Sequence, residues 1–201
     1  NCYWLCCISN IKCVKFLLKF DIVIEKKGNF IPSNDSWIQT PLKNVWISHS
    51  DDVIKDLNVS TAESSNLTFY LGIPIKPKFG EILQNLLYNN KSLNTNGVYM
   101  LVSFLKDKFA VTSDALGVFP IFYSIGTDFD VISNSMKECS RLAGHKIYYD
   151  RISVLEYIVT EGNLGNSCFL KNVKRLKQDE IILYKNNKLH IENRKQINFE
   201  D

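Results

Sequence analysis

From Gly97 onward the chain alternates apolar runs of strand length with short polar turns, and that pattern leaves few folds open. Residues 98–105 and 108–112 are spaced as a hairpin joined at Lys106-Asp107, and 121–124 and 129–133 as another around Gly126-Thr127-Asp128. A third pair, 181–184 and 189–192, flanks Lys185-Asn186-Asn187-Lys188. Short apolar runs bounded by Gly, Asn and Asp read as strands, because those turn residues tolerate the backbone angles that reverse a chain. Asn134 stands where an N-cap belongs, opening a helix that runs to about Leu142 and stops at Gly144. Asp150 caps a second helix carrying Ile152, Leu155, Ile158 and Val159. Strands in succession with a few helices predict an α+β fold rather than an alternating parallel sheet.

The first half is less regular. Residues 3–9 fit a buried strand, and 16–25 with the turn Lys26-Lys27-Gly28-Asn29 and Phe30-Ile31 suggest a ribbon. Residues 32–41 read as loop and 45–48 as a brief strand. The run 67–75 reads as a strand broken by Gly72 and ended by Pro74. Over 79–88, Ile82, Leu83, Leu86 and Leu87 share one face of an amphipathic helix.

With 201 residues, 45% of them apolar, the chain can bury a substantial core. Its 24 basic and 21 acidic residues are interspersed, so no basic stripe marks a nucleic-acid partner. No apolar run reaches the roughly 18 residues of a membrane span. Residues 11–24 come nearest, but Lys12, Lys15, Lys19 and Asp21 interrupt them, and no small-residue cleavage site follows. The cysteines crowd the start (Cys2, Cys6, Cys7, Cys13) with Cys139 and Cys168 far away, which suits reduced, buried thiols in a cytoplasmic protein.

The segment Val111-Thr-Ser-Asp114-Ala-Leu-Gly117-Val-Phe-Pro120-Ile-Phe-Tyr123, followed by Val131-Ile-Ser133-Asn134-Ser-Met-Lys137, carries a family resemblance. It is similar to the Arg-Asp-x-Leu-Gly-x-x-Pro-Leu-Tyr-Tyr and Phe-Ala-Ser-Glu-x-Lys segments in the amino-terminal, glutaminase-like domain of class II asparagine synthetases. Gly97-Val-Tyr-Met-Leu-Val-Ser-Phe104, Asp150-Arg-Ile-Ser-Val-Leu-Glu-Tyr157 and the element from Cys168 to Glu180 resemble further pieces of that domain, in order and at similar spacing. The resemblance runs from Gly97 to about Arg194 and matches the first half loosely. It implies a four-layer αββα sandwich of the N-terminal-nucleophile hydrolase type, mostly antiparallel. Residues 1–195 would form the glutaminase-like domain and 196–201 the start of a linker.

In that family an amino-terminal Cys thiolate attacks glutamine, with its own α-amine as base. Cys2 is the candidate here, but gapless alignment of the family strand on Tyr3 to Asn10 places Tyr3 at the nucleophile position. A one-residue slip in a strand turns every side chain to the other face. Asn1 also blocks the amine of Cys2, and Trp4 replaces a small Gly. The family's substrate-carboxylate Arg has no counterpart, since no Arg precedes Arg141. Its Asn-Gly-Glu loop falls near Tyr70-Leu-Gly72-Ile-Pro74, which keeps Gly72 and loses the amide and the carboxylate. Asp114 matches the family Asp that receives the glutamine ammonium. Alone it cannot hold a zwitterion, so it is expected to be a turn residue.

Other constellations read blandly. The amino-terminal cysteines lack paired metal-knuckle spacing, and His49, His145 and His190 are scattered. His49-Ser50-Asp51-Asp52 holds the letters of a triad without a nucleophile elbow. Gly162-Asn-Leu-Gly165 lacks a phosphate-binding frame. Lys171, Lys174, Arg175 and Lys177 form a solvated rim, or a contact for a peptide or module.

The resemblance therefore implies a non-catalytic glutaminase-like domain of an ATP-dependent amide- or lactam-forming enzyme, akin to β-lactam, carbapenam and lasso-peptide macrolactam synthetases. The chain itself would hold no cofactor; ATP and Mg²⁺ would belong to a synthetase module or subunit acting on a peptide or amino-acid-derived substrate. Two alternatives stay open: an active glutamine amidotransferase using Cys2, and a stand-alone binding protein on the same fold.

Overall fold

The structure is a computed structural model that describes residues 19–27, 30–32, 37–40, 42–49, 54–56, 67–75, 96–105, 107–114, 116–160 and 165–194. Its strands are β1 (Phe20–Glu25), β2 (Trp37–Gln39), β3 (Val45–His49), β4 (Ile54–Asp56), β5 (Leu67–Ile75) and β6 (Asn96–Leu105). There follow β7 (Lys108–Ser113), β8 (Phe122–Ile125), β9 (Phe129–Ser133), β10 (Lys174–Arg175), β11 (Glu180–Lys185) and β12 (Lys188–Asn193). Two helices, α1 (Met136–Leu142) and α2 (Arg151–Thr160), lie between β9 and β10. The protein is α+β with antiparallel sheets, as expected. One sheet has the order β10-β8-β9-β1-β3-β2 and the other β12-β11-β7-β6-β5-β4.

Alternation along the strands stacks these sheets. Phe20, Ile22 and Ile24 of β1, with Val45, Ile47 and Ile132, share one buried cluster with Met100, Val102, Phe104, Phe109, Val111, Ile182 and Tyr184 of the second sheet. Successive strand residues point to opposite faces, so Val23 and Val131 look the other way. There they meet Trp37, Cys139, Leu170 and Val173, and α1 closes over them through Met136 and Leu142. The far face of the second sheet is buried as well, at Leu101, Ala110, Thr112 and Leu183.

The three late hairpins form as their turns predict. Asn186 and Asn187 take φ of 54° and 57°, the paired positive angles of a tight two-residue turn that Asn accepts more readily than other non-glycine residues. Gly126 is required by space: a Cβ there would lie 2.4 Å from the Phe129 carbonyl oxygen.

Several expectations need correction. Residues 37–39 are strand, not loop: β2 pairs with β3 from Trp37↔Ser48 to Gln39↔Trp46, and three residues are too short to show alternation. Phe30-Ile31 does not form a returning strand; Phe30 instead packs edge-on against Trp37 with ring centroids 4.7 Å apart. β5 runs unbroken through Gly72 and Pro74. β4 pairs only with residues 68–70 of β5, so Pro74 lies past the end of that pairing, where its missing N–H breaks no bond to β4. Asn134 is not the helix cap. Ser135 accepts from the Glu138 amide, while Asn134 Oδ1 accepts from Phe20 N at 3.0 Å and extends the β1–β9 pairing. Asp150 does cap α2, its carboxylate accepting from Ile152 N and Ser153 Oγ. The strand expected at 3–9 and the helix at 79–88 lie outside the described residues. No described helix is long and apolar enough to cross a membrane.

Candidate functional site

Sheet register brings two sequence-named residues into one row. Gly72 on β5 pairs with Tyr99 on β6, and Asp114, one residue beyond β7, donates its amide to Tyr99 O at 2.8 Å. Gly72, Tyr99 and Asp114 thus lie across three adjacent strands, roughly 5 Å per step. Cys2, the candidate nucleophile, lies outside the described residues.

Asp114 is fully buried. Its Oδ1 accepts from Leu116 N at 2.9 Å and Val118 N at 3.3 Å, and its carbonyl accepts from Gly117 N. A carboxylate that gathers the amides of its own turn is the Asx-type role expected of it. Gly117 sits at φ +61° in this turn, with the Cβ of Gln178 3.4 Å from where its own would be. Oδ2 of Asp114 is buried and accepts no hydrogen bond.

A cation that sequence reasoning missed stands beside this turn. Arg194 donates from Nη1 to Ser113 O at 2.8 Å and from Nη2 to the carbonyls of Asp114 and Gln178. Burial pulls its guanidinium below its ordinary value, and Tyr99, Asp114 and Asp179 oppose that shift. No Arg precedes Arg141 in the chain, so the family order pointed to no guanidinium here. Only the return of β12 beside β11 carries Arg194 back to the end of β7, and no local motif announces that.

Three further nucleophile candidates, Cys139, Cys168 and Ser124, are each held in a state that disfavours attack. Cys139 and Cys168 are free and buried, in line with the expectation of buried thiols. Burial raises both, and Cys168 is pushed up to about 11, so neither supplies thiolate at neutral pH. Ser124 Oγ lies 2.8 Å from His145 Nε2, a pairing absent from the sequence reading, but it also donates to Asn172 O at 2.7 Å. A carbonyl can only accept, so the Ser124 proton is committed there and His145 Nε2 must carry its own hydrogen. That is the reverse of a base activating a serine. No three His, Cys, Asp or Glu side chains converge to hold a metal among the described residues. Lys171, Lys174, Arg175 and Lys177 are exposed, as a solvated rim requires.

No family model matches the chain, and no curated protein matches it. Among solved structures it is similar to the glutamine phosphoribosylpyrophosphate amidotransferase from B. subtilis complexed with ADP and GMP. The TM-score is 0.45 at 9% identity, over 89% of this chain and 43% of that one. A second, described as the allosteric regulatory enzyme of purine biosynthesis, gives a TM-score of 0.42 at 9% identity, over 90% of this chain and 43% of that one. The chain thus spans less than half the length of either protein. Likenesses this distant do not carry an activity across.

Proposed function

We propose that this chain is a glutaminase-like domain that keeps a stacked-sheet scaffold without hydrolysing glutamine, and that it serves an ATP-dependent, amide- or lactam-forming synthetase module. One observation carries the reading: Asp114 and Arg194, the charged groups at the candidate row, are both engaged with backbone of their own chain. A glutamine zwitterion needs one countercharge for its ammonium and another for its carboxylate. Freeing either group would break charge-assisted hydrogen bonds of about 1.5–3 kcal/mol each. Burial on the far face of the second sheet supports a fourth layer, completing an αββα sandwich. ATP and Mg²⁺ would be held by the module, together with a peptide or amino-acid-derived substrate.

The decisive measurement is ammonia release from glutamine by the full chain after removal of Asn1, which frees the Cys2 amine. The expected result is no release above that of Cys2→Ser. Release abolished by Cys2→Ser would make the chain an active amidotransferase instead. Mixing with a synthetase module bearing a Ser-Gly-Gly-x-Asp-Ser loop should give a one-to-one complex. Failure to associate would favour a stand-alone binding protein.

A further inference from the structure

The second sheet ends on a strand unlike the other sheet edges. β2 and β4 are three residues long and β10 two, lengths that blunt an edge against further pairing. β12 spans six residues without proline or glycine, and it pairs with β11 from Glu180↔Asn193 to Lys185↔Lys188 with no bulge. On its other side the sheet order holds no further strand among the described residues. A long, regular edge of this kind is a template for pairing with another chain.

The hairpin fixes which backbone groups that edge presents. Lys185 and Lys188 flank the two-residue turn at Asn186 and Asn187, so they exchange both ladder hydrogen bonds. Bonded and non-bonded positions alternate along an antiparallel pair. His190 and Glu192 are therefore also bonded to β11, and the bond from Arg194 N to Asp179 O keeps the same step. Leu189, Ile191 and Asn193 turn their N–H and C=O groups away from β11.

We propose that this edge pairs with the same edge of a second copy of the chain, antiparallel about a two-fold axis at His190. A two-fold contact needs a segment complementary to its own reverse, and Lys188-Leu-His-Ile-Glu192 is one. Lys188 falls opposite the partner's Glu192 and Leu189 opposite the partner's Ile191, while His190 meets its own copy on the axis. The backbone suits this register, because Leu189 and Ile191 point outward on both chains and each such pair exchanges both its hydrogen bonds. Leu189 and Ile191 pack against the core cluster, so their partner copies extend the same apolar face. Within its own chain Glu192 meets Lys185 at 2.8 Å, and the partner's Lys188 would complete a cation–carboxylate–cation row. Moving the axis to Ile191 sets Lys188 against the partner's Arg194, and moving it to Leu189 sets Lys188 against the partner's His190. Both lose the opposite-charge pair, so charge selects the register. Nothing in this arrangement depends on the fate of glutamine.

Sedimentation equilibrium of the full chain in reductant, from about 1 to about 300 µM, covers dissociation constants in the micromolar range. The average mass should climb from 23.1 kDa toward twice that value. Lys188→Glu and Glu192→Lys, with unchanged far-UV circular dichroism, should each stay at the single-chain mass, because either sets like charges opposite one another. An equal mixture of the two variants should dimerise again, since the reversed charges then meet across the axis. In the wild-type chain the amides of Leu189 and Ile191 should gain protection from hydrogen exchange as concentration rises. Those of His190 and Glu192, already bonded to β11, should not, and this readout needs no variant. A single-chain mass at every concentration overturns the proposal, whether the edge stays bare or binds a different protein. So does a dimer that survives both charge reversals, or a mixture of folded variants that fails to dimerise.

Discussion

Asp21 is a charged residue at full burial on β1, and it shows what a single carboxylate can cost this fold. Its Oδ1 accepts from Ser133 Oγ at 2.6 Å and its Oδ2 faces the Lys19 ammonium at 3.4 Å. Desolvation nonetheless holds its carboxyl above the ordinary 3.8, outweighing those two partners. The native state therefore takes up a proton more readily than the unfolded chain. Stability should rise as pH falls through the folded value and stop rising below about 3.8, where both states are protonated. Asp21→Asn should raise the urea midpoint at pH 7 by roughly 0.3–0.5 M and flatten that acid-side rise; a lower midpoint would mean the ion pair outweighs desolvation. Two glycines separate steric from conformational causes. Gly126→Ala, which drives a Cβ into the Phe129 carbonyl, should cost about 2–3 kcal/mol in urea unfolding. Gly144→Ala meets no atom within 4 Å but sits at φ +72°, so it should cost only about 1–2 kcal/mol.

Among the elements, the junction between β9 and α1 divides its labour in a way composition does not reveal. Ser133 Oγ takes the Ser135 amide and gives its proton to Asp21, Ser135 caps α1, and Asn134 extends the pairing of β1 with β9. The cap bond is long, at 3.4 Å from Ser135 Oγ to Glu138 N, against 3.0 Å from Asn134 Oδ1 to Phe20 N. Asn134→Ala should therefore cost about 1–2 kcal/mol and Ser135→Ala only about 0.5–1 kcal/mol. Equilibrium unfolding of the two variants checks the order; the reverse would show that the Ser135 cap outweighs the Asn134–Phe20 bond.

Across the whole molecule, the two sheets share one apolar layer, so damage to one should be felt in the other. Phe109 stands between Phe104 and Tyr184, with ring centroids 5.1 and 5.0 Å away. Phe109→Ala should cost about 3–5 kcal/mol. Fluorescence of Trp37 and Trp46, which lie on the opposite sheet, should lose its native signal in the same transition as the far-UV signal. Two separated transitions would show that the sheets are energetically independent.

Local chemistry made much of this molecule readable from its letters. The hairpins at 98–112, 121–133 and 181–192, the cap at Asp150 and the stop at Gly144 follow from turn residues and side-chain alternation, which act within a few positions. Asp114 as a turn residue was legible for the same reason: its acceptors are filled by Leu116 and Val118, its near neighbours. What depended on partners distant in sequence was not legible. β2 exists because β3 pairs with it, β5 passes through Gly72 and Pro74 because β6 holds it, and Arg194 reaches Asp114 across 80 residues. Ile152, Leu155, Ile158 and Val159 of α2 show the converse: their helical spacing was plain, yet their exposure to solvent was decided by where the Tyr157–Phe169 contact seats the helix. Spacing along a chain encodes bonds between near neighbours, whereas burial and long-range pairing are settled only when the whole chain competes for the same interior.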